Sequence, residues 1–176
     1  MLLFIVYLLF IILPLSLLSC SSDDDSGTSS EIVGKWMNAE IHIEGEYVVA
    51  GMGTATMTGI ATDNDPENYT VFHADNTLET HPKPMEMMIM VTIMGVEEAY
   101  EQEVNIDIPQ FGQWQKEGDT LTISSEGETW DYTIEMLNAS TLKISTDTIY
   151  TELPTEGGLE LPDLDTFKMT IVFSRL

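Results

Sequence analysis

Cys20 is the only cysteine among the 176 residues. It follows Leu17-Leu18-Ser19 and precedes Ser21–Ser30, a stretch with no apolar side chain. It has no partner for an internal disulfide, and its place between an apolar run and a polar tether suits lipid attachment. His73 and His81 stand near the methionine-rich run Met85–Met94. Imidazole and thioether together suit reduced copper, but no Met-x-x-Met array with flanking His or Cys is present, and exposed hairpin histidines are the plainer reading. Asp63, Asp65 and Glu67, with the Asn64 and Asn68 amides, offer oxygens to calcium, which takes six to eight. The glycine and the twelfth-position carboxylate of a calcium-binding loop are missing, so a solvated turn accounts for the segment. No metal and no cofactor is expected.

Catalysis needs a nucleophile or an acid–base pair gathered in a pocket. Gly-x-Ser-x-Gly, His-Glu-x-x-His, a phosphate loop and a dinucleotide fingerprint are all missing. Carboxylates such as Asp131 and Glu135 fall at outward-facing strand positions, surrounded by solvent rather than by a pocket. The expectation is a protein that is not an enzyme.

The elements that must position these residues are strands. In Thr129–Met136, Trp130, Tyr132, Ile134 and Met136 alternate with Thr129, Asp131, Thr133 and Glu135. In Thr166–Ser174, Phe167, Met169, Ile171 and Phe173 keep the same period, as do Leu121 with Ile123 and Leu142 with Ile144. Strict alternation buries one face and wets the other, as in an antiparallel sheet. Glu117-Gly118-Asp119, Glu126-Gly127-Glu128 and Asn138-Ala139-Ser140 separate successive strands closely enough for hairpins, and Ala74-Asp75-Asn76 does so between Tyr69–His73 and Thr77–His81. Such a meander leaves few free edges only if the sheet closes, which favours a barrel. Glu152–Asp165, acidic with two prolines and two glycines, is a longer loop of the functional or disordered kind.

Met85–Met94 reads as a strand apolar on both faces, with Met88, Met90, Thr92 and Met94 on one and Met87, Ile89, Val91 and Ile93 on the other. Flexible, polarisable methionine suits the wall of a pocket for apolar ligands. A merely adaptable core, covered outside by a loop, is the alternative.

Thirty acidic residues against six basic ones give a net charge of -24. That surface repels nucleic acid, so no nucleic-acid partner is expected. From Leu2 to Leu18 only Pro14 and Ser16 interrupt the apolar side chains. A membrane span wants roughly 20 such residues, so the run better suits a secretory signal, with Ser19 the last residue removed, than an uncleaved anchor. No Lys or Arg precedes it, so either the true start lies upstream or the charge rule is weakly obeyed. The segment resembles a bacterial lipoprotein signal: Leu17, Ser19 and Cys20 match the lipobox, and Leu18 is a less usual occupant. The resemblance implies acylation of the Cys20 sulfur and amine, each buried methylene contributing ~0.8 kcal/mol of membrane attachment. Ser21 is not the inner-membrane retention aspartate, which implies an outer-membrane address. Ser22-Asp23-Asp24-Asp25 also looks like the surface-export tag of Bacteroidetes-type lipoproteins, with a solvated linker as the alternative. The chain then divides into a signal peptide (1–19), a lipid-anchored tether (20–30) and one folded domain (31–176).

Ile32-Val33-Gly34-Lys35-Trp36 looks like the Gly-x-Trp opening of lipocalin and calycin barrels. With Tyr69–Thr77, Gly112-Gln113-Trp114 and Gly118–Ile123, the domain is similar to the lipocalin-like domains of Bacteroidetes lipoproteins. The resemblance implies an all-β, antiparallel up-and-down barrel of about eight to ten strands. It also implies that Trp36 packs at a closed base under Arg175, the only arginine, a contact worth roughly 0.5–2 kcal/mol. Trp36 is out of phase with Ile41 and Ile43, which predicts a bulge between them. By analogy of fold, the expected function is binding of a small apolar or amphipathic ligand, with Met88, Met90, Trp114, Trp130 and Tyr132 as cavity walls. The alternative is an interaction lipoprotein with a filled barrel, contacting an envelope or host partner through its acidic loops.

Overall fold

Period-two alternation commits most of this chain to strands, and the tight turns between them bring each strand against the next. The structure is a computed structural model, which describes residues 29–105, 108–148 and 164–176. The leader, Cys20, most of the tether and most of Glu152–Asp165 lie outside the described residues. One helical turn, α1 (Ser29–Ile32), precedes eleven strands: β1 (Gly34–Val49), β2 (Gly53–Thr62), β3 (Tyr69–Phe72), β4 (Thr77–His81), β5 (Met85–Ile93), β6 (Val96–Val104), β7 (Phe111–Glu117), β8 (Thr120–Ser125), β9 (Glu128–Leu137), β10 (Thr141–Thr146) and β11 (Thr166–Arg175).

Eight of them, β1, β3, β4, β7, β8, β9, β10 and β11, hydrogen-bond around a ring in chain order, and β11 pairs back onto β1 to close it. Every pairing is antiparallel, so the ring is an up-and-down barrel. The other three strands form a wing that leaves the barrel along β1, in the order β1–β2–β5–β6. The length of β1 makes this possible. Its start, Gly34–Met37, pairs with β3, and its remainder, Glu40–Val49, pairs with β2 along the same edge. Its opposite edge holds β11 from Trp36 to Glu46, with the predicted bulge falling between Asn38 and Glu40.

The branch point is polar and buried. The Asn38 side chain donates to Asn68 Oδ1 at 2.6 Å and accepts from the Thr70 hydroxyl at 3.0 Å. Asn38, Asn68, Thr70 and Thr80 are all fully buried. Buried amides and hydroxyls persist only when bonded, so this network specifies one geometry where β1 changes neighbours.

Inside the ring, Trp36, Phe72, Trp114, Tyr132 and Phe173 join Leu121, Ile123, Leu142, Ile144 and Ile171 in one buried cluster. An eight-stranded barrel is just wide enough for side chains to fill. One predicted face is corrected. A second bulge, where Lys143 and Ile144 of β10 face Met136 and Ile134 of β9, leaves Glu135 as the extra residue. Alternation slips there, so Met136 points outward, 48 % exposed, and Leu137 packs against the core instead.

Candidate functional surfaces

The barrel base is built around Gly34, Trp36 and Arg175. Trp36 and Arg175 are direct partners across β1 and β11, and the guanidinium lies 4.7 Å from the Trp36 ring centroid. The indole N–H donates to the Ile32 carbonyl at 2.7 Å, and Arg175 donates to the Val33 carbonyl. A side chain at residue 34 would have its Cβ 2.8 Å from Arg175 Nη2, and its φ of +147° suits glycine. This ties β1 to β11 where the ring closes.

The five side chains expected to wall one cavity do not share one. Trp114 and Tyr132 point inward and are almost wholly buried. Trp114 donates to the His73 carbonyl at 3.2 Å and meets Phe72 edge-on at 5.7 Å between centroids. Trp130 also faces inward, opposite Ile123, but nearer the top of the barrel. There it lines a cleft of about 400 Å³ with Gln110, Phe111, Ser125, Glu126 and Glu128. Met88 and Met90 are on the other side of the sheet. The inner face of β5 is Met85, Met87, Ile89 and Val91, all buried, while Met88 is 39 % exposed. Met88 and Met90 line a shallow outer groove of about 180 Å³ with His42, Glu44, Thr58 and Ile60.

The histidine beside the methionines is therefore His42 on β1, which sequence order hides. His73 and His81 lie elsewhere: both face Glu79, at 3.8 and 2.6 Å, and His81 stacks on Tyr69 with centroids 4.4 Å apart. Among the described residues, no group of three or more His, Asp or Glu side chains is placed to hold a metal ion.

The Asp63–Asn68 loop is a self-satisfied turn. Asp63 accepts from the Asp65 N–H and the Asn68 amide, and Asp65 accepts from the Glu67 N–H. Lys83 Nζ sits 2.7 Å from Asp65 and 2.6 Å from Glu67, taking the place a cation would occupy, and its hydrogen bond holds the Asp65 carboxyl below its usual range.

Glu135 keeps its expected place on the exposed outer face, but it is ion-paired there rather than surrounded by solvent alone. The bulge aims it between Lys143, at 2.8 Å, and Lys168, at 2.6 Å, with only 23 % of its side chain exposed. Hydrogen bonds from Lys143, then Lys168, hold its carboxyl down to about 2. Above it a polar groove of about 630 Å³ runs over the outer wall past Thr133, Ser145, Asp147 and Lys168. Nothing in the spacing of Lys143 and Lys168, on different strands, announces this trio.

No protein-family model matches the chain, and a search of curated proteins finds no match to it.

Proposed function

We propose that this protein is a lipid-anchored, extracytoplasmic barrel that works through its outer surface, as an interaction lipoprotein of the cell envelope, rather than by enclosing an apolar ligand. The supporting observation is the packing of Trp36, Phe72, Trp114, Tyr132 and Phe173 within the eight-stranded ring, where a carrier would need an open space of at least ~300 Å³. Anchoring at Cys20, export across the inner membrane and an outer-membrane or cell-surface address rest on the lipoprotein-like leader. Native mass spectrometry of protein purified from its own envelope tests the reading. The expected mass is that of the acylated polypeptide alone; a stoichiometric apolar ligand, released on unfolding, would overturn it.

A second reading has one observation in its favour. The rim cleft beside Trp130 joins two aromatic rings, Trp130 and Phe111, to the carboxylates of Glu126 and Glu128. A small ligand there would quench Trp130 fluorescence, and the quenching would vanish in Trp130→Phe.

A further inference from the structure

The wing ends in a strand with one edge unpaired among the described residues. β6 closes the sheet order, hydrogen-bonded to β5 on one side, and among the described residues no strand pairs with its other edge. The β5–β6 ladder runs without a register break from Met85↔Val104 to Ile93↔Val96. Free sheet edges are templates for further strand pairing, and proteins usually blunt them with bulges, prolines, lysines or short length. β6 has nine residues, no proline, no bulge and no lysine. Val96, Glu97, Glu98, Ala99 and Glu101 are all exposed. Among the described residues its guard is charge of one sign, carried by Glu97, Glu98, Glu101 and Glu103.

That guard is selective. A second copy laid antiparallel on this edge, centred on Ala99, would set Glu97 opposite Glu101 of its partner, and like charges directly opposed destabilise a strand pair. A cationic strand meets the reverse condition, and the net charge of -24 adds attraction at longer range. We infer that β6, along Val96–Glu101, is a docking edge that takes up an extended, Lys- or Arg-bearing segment of another protein as a twelfth strand. This rests on the surface-interaction reading above and gives that surface a location and a partner chemistry. Register sets the pattern. Read from its N-terminus, an antiparallel partner would place a cation opposite Glu101, two uncharged residues opposite Tyr100 and Ala99, two cations opposite Glu98 and Glu97, and an apolar residue opposite Val96.

The test uses the full-length acylated protein in detergent and the synthetic peptide Thr-Lys-Val-Val-Lys-Lys-Val-Thr. Two further versions are N-methylated on alternate residues, one on the odd and one on the even backbone nitrogens. Only one of these sets faces the edge, so strand addition predicts that one methylated peptide binds like the parent and the other loses at least about tenfold. Replacing Glu97, Glu98 and Glu101 together with Gln should weaken the parent peptide at least about fivefold. Equal binding of both methylated peptides would reduce the contact to non-specific charge attraction and overturn the proposal, as would no binding of the parent at low millimolar concentration. The filled-barrel reading is judged separately by the mass of the purified protein, so failure of one is distinguishable from failure of the other.

Discussion

Glu135 shows how one side chain acquires a role from its neighbours. Alternation puts it on the wet face of β9, but the bulge turns it between two lysines from β10 and β11. Its carboxyl titrates near 4.5 when the chain is unfolded and near 2 when folded. A depressed folded pKa means that the stabilisation is present above about 4.5 and is lost as pH falls from there through 2. Solvent screening at this partly exposed trio limits the contribution to about 1 kcal/mol. Glu135→Gln should therefore be about 1 kcal/mol less stable than the parent in urea unfolding at pH 7, with the gap closing by pH 2. A gap that persists unchanged at pH 2 would show that the ion trio is not its source. At the base, Arg175 acts differently, through the Trp36 face and the Val33 carbonyl.

β1 is the element on which the architecture turns, because one edge holds β11 on both sides of the bulge while the other passes from β3 of the barrel to β2 of the wing. Asn38 sits at that change of neighbour, and its side chain satisfies Asn68 and Thr70 in a fully buried setting. Asn38→Leu removes both bonds and strands buried polar atoms, which should cost about 2–4 kcal/mol. Amide exchange should rise more in β2, β5 and β6 than in β8, β9 and β10, since the branch is loosened before the ring. A loss under about 0.5 kcal/mol, or a uniform rise in exchange, would mean that the network does not hold the branch. The two-faced apolarity of β5 has its explanation at this scale. One face closes the core beside Met57 and Ile43, and the other lines the open groove beside His42.

At the scale of the molecule, Trp36 and Arg175 join β1 to β11 where the ring closes, and the proposed lipid at Cys20 would serve only to hold the barrel at a membrane. Cys20→Ala should thus yield, after secretion, a soluble protein with unchanged β-sheet circular dichroism and an unfolding midpoint within a few degrees of the parent. Retention of that variant in the membrane fraction would make the apolar leader itself the anchor. The net charge of -24 and the free edge of β6 are the two features on which the proposed docking of a cationic strand rests.

Much of the ring was legible in the chain. Period-two runs such as Phe167–Phe173 and turn residues such as Glu126-Gly127 mark strands and hairpins locally, and hairpins in series close a barrel in only a few ways. The phase slip after Trp36 marked the first bulge, and the resemblance to lipocalin-like barrels implied the closure by Arg175. What only the tertiary structure decided follows from one property of strands: a period of two separates faces without saying which face is inside. So Met88 and Met90 were as good a wall as Met87 and Ile89 until tertiary packing buried one face and left the other out. Non-local contacts were equally hidden: Lys83 in the Asp65 loop, His42 beside Met88, and Glu135 between two lysines each join strands that chain order keeps apart. Sequence by itself determined that this chain makes antiparallel strands in series that favour a closed barrel. The packing of Arg175 on Trp36 was implied only by resemblance and is set by the register of β1 on β11. Only the fold decided that aromatic side chains occupy its interior and that the methionines expected to line a cavity face outward, because burial is settled by how whole sheets curve and not by the pattern along any one strand.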